Sequence, residues 1–431
     1  WDESLTLPNL SVEKLHELAG YLAHLVYGRP SEKMWLAGVT GTNGKTSISQ
    51  WLAQAMNDLG RRCAVIGTLG NGFPGALTAS ANTTPDALTL HHSLAAYLAQ
   101  GAEATVMEVS SIGLEQGRTN AVAFSIAVFT NLTRDHLEYH GTMESYAEAK
   151  ARLFATSGLQ SAVLNLDDAF GRELMKRLAG TGVQRFGYTL EKPQGDCGEW
   201  LLRAENITAT ALGQRFEAVT PQGRVTLDVP LLGRFNISNL LAVLAALLAA
   251  EVPLARAANV LSKLTPPPGR MQMLGGNEEP LIVVDYAHTP DALEQALSAL
   301  ADTARLRNGK LICVFGCGGD RDAGKRPLMG AVAARCADQV VLTSDNPRGE
   351  KPRAIIEQIA AGGLNGSAHA SVIEDRAEAI RATVTAATPH DVVLIAGKGH
   401  EPYQEIAGQR LPFSDIEQAR AALTARQGQR R

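Results

Sequence analysis

Large apolar side chains recur at Leu15, Leu18, Leu22 and Leu25, with mostly small or polar residues between them. This spacing of three and four predicts an amphipathic helix over residues 11–26, with Ser11 placed to cap its first turn. Gly28, Pro30 and Ser31 break it. Residues 35–39 form a short apolar run, a predicted strand, that leads straight into Gly41-Thr42-Asn43-Gly44-Lys45-Thr46. Residues 47–59 then predict a helix that stops at Gly60. Further short apolar runs predict strands at residues 64–67, 104–109, 126–130 and 162–165, with helical stretches between them. Strands alternating with helices imply a mostly parallel sheet covered on both faces. Residues 215–229 look antiparallel, turning at Pro221-Gln222-Gly223, and residues 237–250 form a helix rich in Leu and Ala.

Thr265-Pro266-Pro267-Pro268-Gly269 is stiff and cannot continue a helix, so it predicts a domain boundary. Beyond it the alternation restarts, with predicted strands at 281–284, 310–315, 339–343 and 392–396. The expected fold class is α/β. A central phosphate-loop domain with a mostly parallel sheet would span residues 34–267, and a Rossmann-like α/β C-terminal domain residues 268–431. Residues 1–33 would be a linker helix.

Composition narrows the function. A chain of 431 residues, 45% of them apolar, can hold two or three domains with real cores. No run reaches the roughly 18 apolar residues of a membrane span. A net charge of −4 argues against bulk nucleic-acid binding. Cys63, Cys197, Cys313, Cys317 and Cys336 are scattered, show no zinc spacing, and are expected to be buried free thiols in a reducing cytosol. Nothing near Trp1 resembles a signal peptide. Gly316-Cys317-Gly318-Gly319 does not fit the dinucleotide pattern G-x-G-x-x-G.

The candidate chemistry starts at the glycine loop. Glycines let the backbone wrap a phosphate so that its N–H groups point at the anion, and the following helix adds its positive end. Lys45 would neutralise β/γ-phosphate charge, and Thr46 would hold Mg²⁺ through its hydroxyl. The common spacing G-x-x-x-x-G-K would need glycine at position 39. Val39 stands there, and Gly38 sits one residue earlier.

The string Gly41 to Thr46 resembles the loop of the Mur ligases and the folylpolyglutamate synthetases. Asn82-Thr83-Thr84-Pro85-Asp86, Glu108-Val109-Ser110-Ser111 and Thr130-Asn131-Leu132-Thr133-Arg134-Asp135-His136-Leu137 resemble successive Mur ligase motifs in family order. So do Gly233-Arg234-Phe235-Asn236-Ile237-Ser238-Asn239, Asp285-Tyr286-Ala287-His288-Thr289-Pro290 and Gly318-Gly319-Asp320-Arg321-Asp322. The match runs from Trp35 to Ser414 and is similar to the branch that adds the third amino acid of the peptidoglycan stem. It implies that ATP phosphorylates the D-Glu carboxylate of UDP-MurNAc-L-Ala-D-Glu and that an amine then attacks the acyl phosphate.

The resemblance also implies roles. Gly41 to Thr46 and Asn131 would hold ATP, with Asn236 and Asn239 at adenine, Asp285 at ribose, and Arg270 at phosphate. His288 would line the same cleft. Asn236 and Asn239 lie one helical turn apart, and helix capping is the alternative reading for them. Thr46, Glu108 and His136 would bind Mg²⁺, although a structural hydrogen bond would also account for His136. Lys150, in Tyr146-Ala147-Glu148-Ala149-Lys150, matches a lysine carbamylated by CO₂, which turns a cation into a metal-binding anion. On sequence pattern alone it reads as a solvated surface lysine. With Lys45, these residues would form the catalytic set.

Asn82, Thr83, Thr84, Ser110, Gln116 and Arg118 match positions that hold the UDP-linked dipeptide. Ile112 departs from the family, which often has His after the paired serines. Asp345-Asn346-Pro347-Arg348 resembles the signature for meso-diaminopimelate, whose far carboxylate Arg348 can grip with two parallel N–H bonds. The alternative for Arg348 is a turn residue. Gly397, Glu401 and Arg321 would complete that pocket. Such enzymes carry an N-terminal uridine-binding domain, expected here to be largely absent. A monomer in the cytoplasm is expected, with small-molecule substrates and neither nucleic acid nor membrane as partner. A folylpolyglutamate synthetase-like ligase and a truncated, non-catalytic ATP-binding relative are the alternatives.

Overall fold

The computed structural model describes residues 12–210 and 212–429, so the predicted cap at Ser11 lies outside the described residues. Chain contacts divide the protein into two units. One comprises Trp1–Leu202 with Ala242–Ala257, the other Arg203–Leu241 with Ala258–Arg431.

In the first unit, the helix Leu15–Val26 forms as the periodicity predicts. Its leucine stripe is nevertheless exposed: Leu15 52%, Leu18 42%, Leu22 47% and Leu25 56%. The helix packs through its small and polar side, where Gly20, Ala23 and His24 are buried. A Cβ on Gly20 would lie 2.6 Å from the Asn120 carbonyl oxygen, so only glycine permits that approach. His24 meets His91 edge-on, with ring centroids 5.3 Å apart.

The sheet of this unit runs Gln184–Thr189, Ser161–Asn165, Ile126–Phe129, Trp35–Thr40, Ala104–Glu108, Cys63–Gly67, Gly70–Phe73, Ala76–Thr78. The first six strands are mutually parallel. The last two add antiparallel hairpins. Strand Trp35–Thr40 is central, with Val39 opposite Glu108 on one side and Thr40 opposite Phe129 on the other. Leu36, Ile66, Met107, Phe129 and Leu164 from these strands join one apolar cluster with Leu90 and Leu94 of the helix Ala87–Ala99. The helix after the glycine loop spans Lys45–Asp58, two residues earlier than predicted, because Gly44 at φ 86° turns the chain directly into it.

Strands Trp200–Thr210, Gly213–Thr220 and Gly223–Val229 form an antiparallel ladder, as the turn at Gly223 predicts. The second sheet runs Gln272–Gly275, Leu281–Asp285, Val392–Ala396, Leu311–Phe315, Gln339–Leu342, Ala370–Val372. All its pairings are parallel except the first. Apolar clusters cover both faces. Val283, Cys313, Phe315 and Leu394 lie in one, and Val284, Val314, Val393 and Ile395 in the other. Asp285, Phe315 and Ala396 stand in register at its carboxyl edge, where open parallel sheets bind ligands. The five cysteines are free, but only Cys63, Cys313 and Cys317 are buried. Cys197 and Cys336 are half-buried, against expectation, because Cys197 lies in a loop and Cys336 ends the helix Lys325–Cys336, neither in a sheet interior.

Candidate functional site

The glycine loop opens from the central strand of the first unit. Gly41 takes φ 146°, and a Cβ there would lie 1.8 Å from Thr130 Oγ1. Gly38, one residue short of the common loop-glycine position, lies in strand Trp35–Thr40, as the apolar run predicts. A Cβ on it would meet Phe124 Cε1 at 2.8 Å, so sheet packing requires it. Asn131 shapes the loop. Its carbonyl accepts from Thr42 N at 2.8 Å and its Oδ1 from Asn43 N at 2.9 Å. Thr130 Oγ1 donates to the Asn43 carbonyl at 2.6 Å. Lys45 Nζ donates to the carbonyls of Gly41 and Thr42, both at 2.9 Å.

Glu108 is fully buried at the end of the neighbouring strand. Its carboxylate accepts from Thr46 Oγ1 at 2.9 Å, Thr68 N at 2.8 Å and Thr68 Oγ1 at 3.1 Å. Lys150 is 1% exposed, which removes the surface-lysine reading. Its Nζ donates to the Gly41 carbonyl at 3.0 Å and stands 4.2 Å from the centre of the Tyr146 ring. Burial, reinforced by the positive charge of Lys45, pushes its ammonium well below the usual lysine range. Tyr146 hydroxyl lies 3.2 Å from Thr42 Oγ1, which ties the helix Met143–Ala151, the bearer of Lys150, to the loop. His136 is half-exposed at φ 53°, with Asp135 at 3.6 Å and Glu138 at 3.7 Å. Among the described residues, no group of three or more His, Cys, Asp and Glu side chains is arranged to hold a metal.

Most of the predicted dipeptide residues form one network beside Glu108. Thr84 Oγ1 donates to the Glu108 carbonyl at 3.0 Å and accepts from Ser110 N at 2.9 Å. Arg118 Nη1 donates to the Thr84 carbonyl at 2.7 Å, and its Nη2 to Gln116 Oε1 at 2.7 Å. Thr83 and Thr68 hydroxyls lie 3.1 Å apart. Asn82 is exposed, and its carbonyl accepts from Ser80 Oγ. Ile112, on the short helix Ser111–Glu115, supplies no polar group, but His140 brings an imidazole to that helix. Its Nε2 lies 2.9 Å from Ser111 Oγ and its Nδ1 3.0 Å from Glu115. Sequence reasoning missed His140, whose partners are distant along the chain.

In the second unit, Asn346 Nδ2 donates to Glu401 Oε2 at 2.8 Å. Arg348 sits at φ 50°, so it is a turn residue as well as a guanidinium donor. Its Nη1 donates to the Gly319 carbonyl at 2.9 Å, and its Nε lies 3.5 Å from Glu405 Oε2. Pro347 presses on Gly319, where a Cβ would meet the Pro347 carbonyl oxygen at 1.9 Å. Asp345 is buried and accepts from Asn346 N at 2.7 Å. Gly397, at φ 116°, leaves 2.5 Å between a notional Cβ and Asp345 Oδ2. Arg321 is exposed in the adjoining loop. Two supports went unread in the sequence. Buried Arg326 pairs with Glu350 at 2.7 Å, and buried Arg376 pairs with Asp415 at 2.7 Å while donating to the carbonyls of Ser344 and Ala396.

The predicted nucleoside residues of this unit are more dispersed. Asp285 Oδ2 accepts from Met271 N at 2.7 Å. Burial raises its carboxyl, with Arg270 opposing. Arg270 stacks 4.7 Å from the centre of the Tyr286 ring, and His288 Nδ1 lies 2.8 Å from the Tyr286 carbonyl. Asn239 Nδ2 donates to Asn236 Oδ1 at 3.3 Å, and Asn236 Nδ2 to the Leu232 carbonyl at 2.8 Å. Both amides are buried, so they form a linked pair on one helix face.

Residues 39–247 match the family profile of the Mur ligase middle domain, and residues 269–399 that of the Mur ligase glutamate ligase domain. The UDP-N-acetylmuramoyl-L-alanyl-D-glutamate–2,6-diaminopimelate ligase of Chromobacterium violaceum is 53% identical, covering 99% of this chain and 84% of that protein. The same-named enzyme of Ralstonia nicotianae is 55% identical over 97% of this chain and 81% of its own length. A solved structure of a ligase of this name aligns with a TM-score of 0.71 at 42% identity, covering 95% and 83%. Folylpolyglutamate synthase of Mycobacterium tuberculosis with ADP also aligns at 0.71, covering 95% and 94%, but at 18% identity, which shows a shared fold alone. With relatives this similar along almost its whole length, the chain belongs to the Mur ligase family.

Proposed function

We propose that the protein is an ATP-dependent amide ligase that joins meso-diaminopimelate to the D-Glu carboxylate of UDP-MurNAc-L-Ala-D-Glu. The observation that carries this reading is a phosphate loop with a buried carboxylate, Glu108, and a buried amine, Lys150, folded against it. The names of the relatives at 53% and 55% identity support the choice of substrates.

The first task is to bring phosphate and carboxylate together. Loop N–H groups, Lys45 and the start of helix Lys45–Asp58 would offset the repulsion between these anions. Thr46 and Glu108 present a hydroxyl and a carboxylate, hard oxygen donors that suit Mg²⁺, and His136 would add an imidazole. Bound Mg²⁺ would supply positive charge at the phosphoryl oxygens. Burial shifts Lys150 toward the neutral amine, the form that reacts with CO₂. The amine nitrogen would form one N–C bond and release one proton, leaving a carbamate anion at the loop. Arg118, Thr84, Ser110 and Gln116 would hold the muramyl dipeptide, with Asn82 and Thr83 beside them.

Selection of the amine falls to the second unit. Arg348 would take the distal carboxylate of meso-diaminopimelate and Glu401 its distal ammonium, with Asp345, Asn346, Pro347, Gly397 and Arg321 shaping the pocket. Asn236, Asn239, Asp285 and Arg270 would serve the nucleoside and phosphate. We assign the reaction to the cytoplasm, which five free thiols fit, and to a monomer. The division at residues 267 and 268 is part of the same proposal.

Phosphate release from ATP tests the reading. It should require both UDP-MurNAc-L-Ala-D-Glu and meso-diaminopimelate, and the product should carry one new amide. Release independent of either substrate would overturn it.

A further inference from the structure

We infer that Lys398 is a positioning residue for the amine substrate, setting the orientation of Asn346 and Glu401 without touching the substrate itself. This rests on the reading of the second unit as the amino-acid site. Lys398 is fully buried, which is rare for a lysine. Its ammonium finds its partners in the pocket. Nζ donates to Asn346 Oδ1 at 2.9 Å and to Glu401 Oε2 at 2.8 Å, and stands 5.7 Å from the centre of the Tyr403 ring.

These bonds decide which way a symmetric-looking amide points. Asn346 Oδ1 also accepts from Glu405 N at 2.9 Å, so the oxygen faces two donors. Its Nδ2 is then directed at Glu401 Oε2. Rotating the amide by half a turn would set N–H groups against the Lys398 ammonium and the Glu405 amide, and oxygen against a carboxylate. Glu401 Oε2 therefore carries both internal bonds, from Asn346 and Lys398. Its Oε1 has no hydrogen-bond partner among the described residues, and it is the atom left to meet a substrate ammonium. The side chain is 19% exposed, so that meeting is open to a ligand.

The backbone is built to place this lysine. Gly397 and Gly399 flank it, at φ 116° and 54°. A Cβ on Gly399 would lie 2.7 Å from the Gly269 carbonyl oxygen and 2.8 Å from Tyr286 Cβ. The loop thus folds tightly at both neighbours and turns the one long side chain between them inward.

The test is steady-state kinetics of the full chain with ATP, UDP-MurNAc-L-Ala-D-Glu and meso-diaminopimelate, alongside calorimetric binding of meso-diaminopimelate and thermal melting. Lys398→Met should raise KM and Kd for meso-diaminopimelate by roughly 10- to 100-fold, as expected for a displaced contact group, and leave KM for ATP and the dipeptide unchanged. Lys398→Gln should fall between the two because it keeps a donor. Should Lys398→Met fold poorly, the pair Lys398→Met with Glu401→Gln removes the unmatched carboxylate and should bind no worse than Glu401→Gln alone. An unchanged KM for meso-diaminopimelate in a folded Lys398 variant overturns this inference alone. An equal rise in all three KM values with a lower melting temperature does so too, because it marks a general structural role. Failure of the unmutated chain to bind or use meso-diaminopimelate removes the underlying reading and the inference with it.

Discussion

Lys150 Nζ donates a 3.0 Å hydrogen bond to the carbonyl of Gly41, the first residue of the phosphate loop. A cation this deeply buried, with Lys45 as an electrostatic neighbour, is held toward its neutral form. Lys150→Ala should lower ligase turnover by at least about 100-fold, on the order of general charge-stabilising groups. A small carboxylic acid added to the assay should restore part of it by replacing the missing anion. Wild-type turnover in the variant would sink the carbamate assignment.

Gly41 has no room for a side chain. Gly41→Ala would drive a methyl into Thr130 Oγ1, the atom that holds the Asn43 carbonyl. We expect ATP affinity to collapse while the melting temperature changes little, since the apolar cluster of the unit is untouched. Titration with a fluorescent ATP analogue measures it.

Arg348 should control the choice of amine. Arg348→Ala should reduce kcat/KM for meso-diaminopimelate by roughly 100-fold or more, the scale of a lost bidentate pair at a site built to hydrogen-bond its substrate. L-Lysine, which lacks the second carboxylate, should be affected far less. A variant that keeps its preference for meso-diaminopimelate would mean that another residue reads that group.

The buried pair Arg376 and Asp415 makes a stability prediction. Both side chains are 0% exposed. Asp415→Asn would strand a buried guanidinium and should cost about 3–5 kcal/mol, read as a lower urea midpoint. Arg376→Met combined with Asp415→Leu should be less destabilised than either single change. Equal losses would show that the pair is not the source of the effect.

His400 gives a pH signature. Burial, with Arg270 adding positive charge nearby, pushes its imidazole down to about 4. The unfolded chain binds this proton near the ordinary histidine value, so folding stability should decline as pH falls from about 6.5 toward 4. Above that window the group makes no pH-dependent contribution. His400→Gln should flatten this part of the melting profile, and an unchanged slope would count against it.

Local features were the legible ones. Strand Trp35–Thr40, the glycine loop and helix Lys45–Asp58 follow one another without interruption, and their order alone pointed to phosphate. Parallel strands could be read as short apolar runs because both faces of each sheet are covered. Burial set by distant segments could not be read. Lys150 lies on a helix with polar neighbours along the chain, and its burial against the loop, where it meets the carbonyl of Gly41 109 positions away, is set by a distant segment. The leucine stripe of Leu15–Val26 gave the right helix and the wrong packing face, because Gly20 against Asn120 allows a closer approach than leucine would. Lys398 and His140 had the same problem. Lys398 meets Asn346, 52 positions away, and His140 meets Ser111, 29 positions away, and periodicity cannot bring either pair together.

The second sheet separates its apolar clusters from the loops at its carboxyl edge. Val283, Leu394 and Phe315 hold the strands, while Asp345 to Arg348 and Gly397 to Glu401 project beyond them. With these loops selecting the amine as proposed, a lineage could exchange a few loop residues and acquire a different amine without rebuilding what keeps the sheet folded. Diversification of stem-peptide chemistry would then be a matter of short-range edits at one rim, open to gradual selection and, equally, to deliberate retargeting.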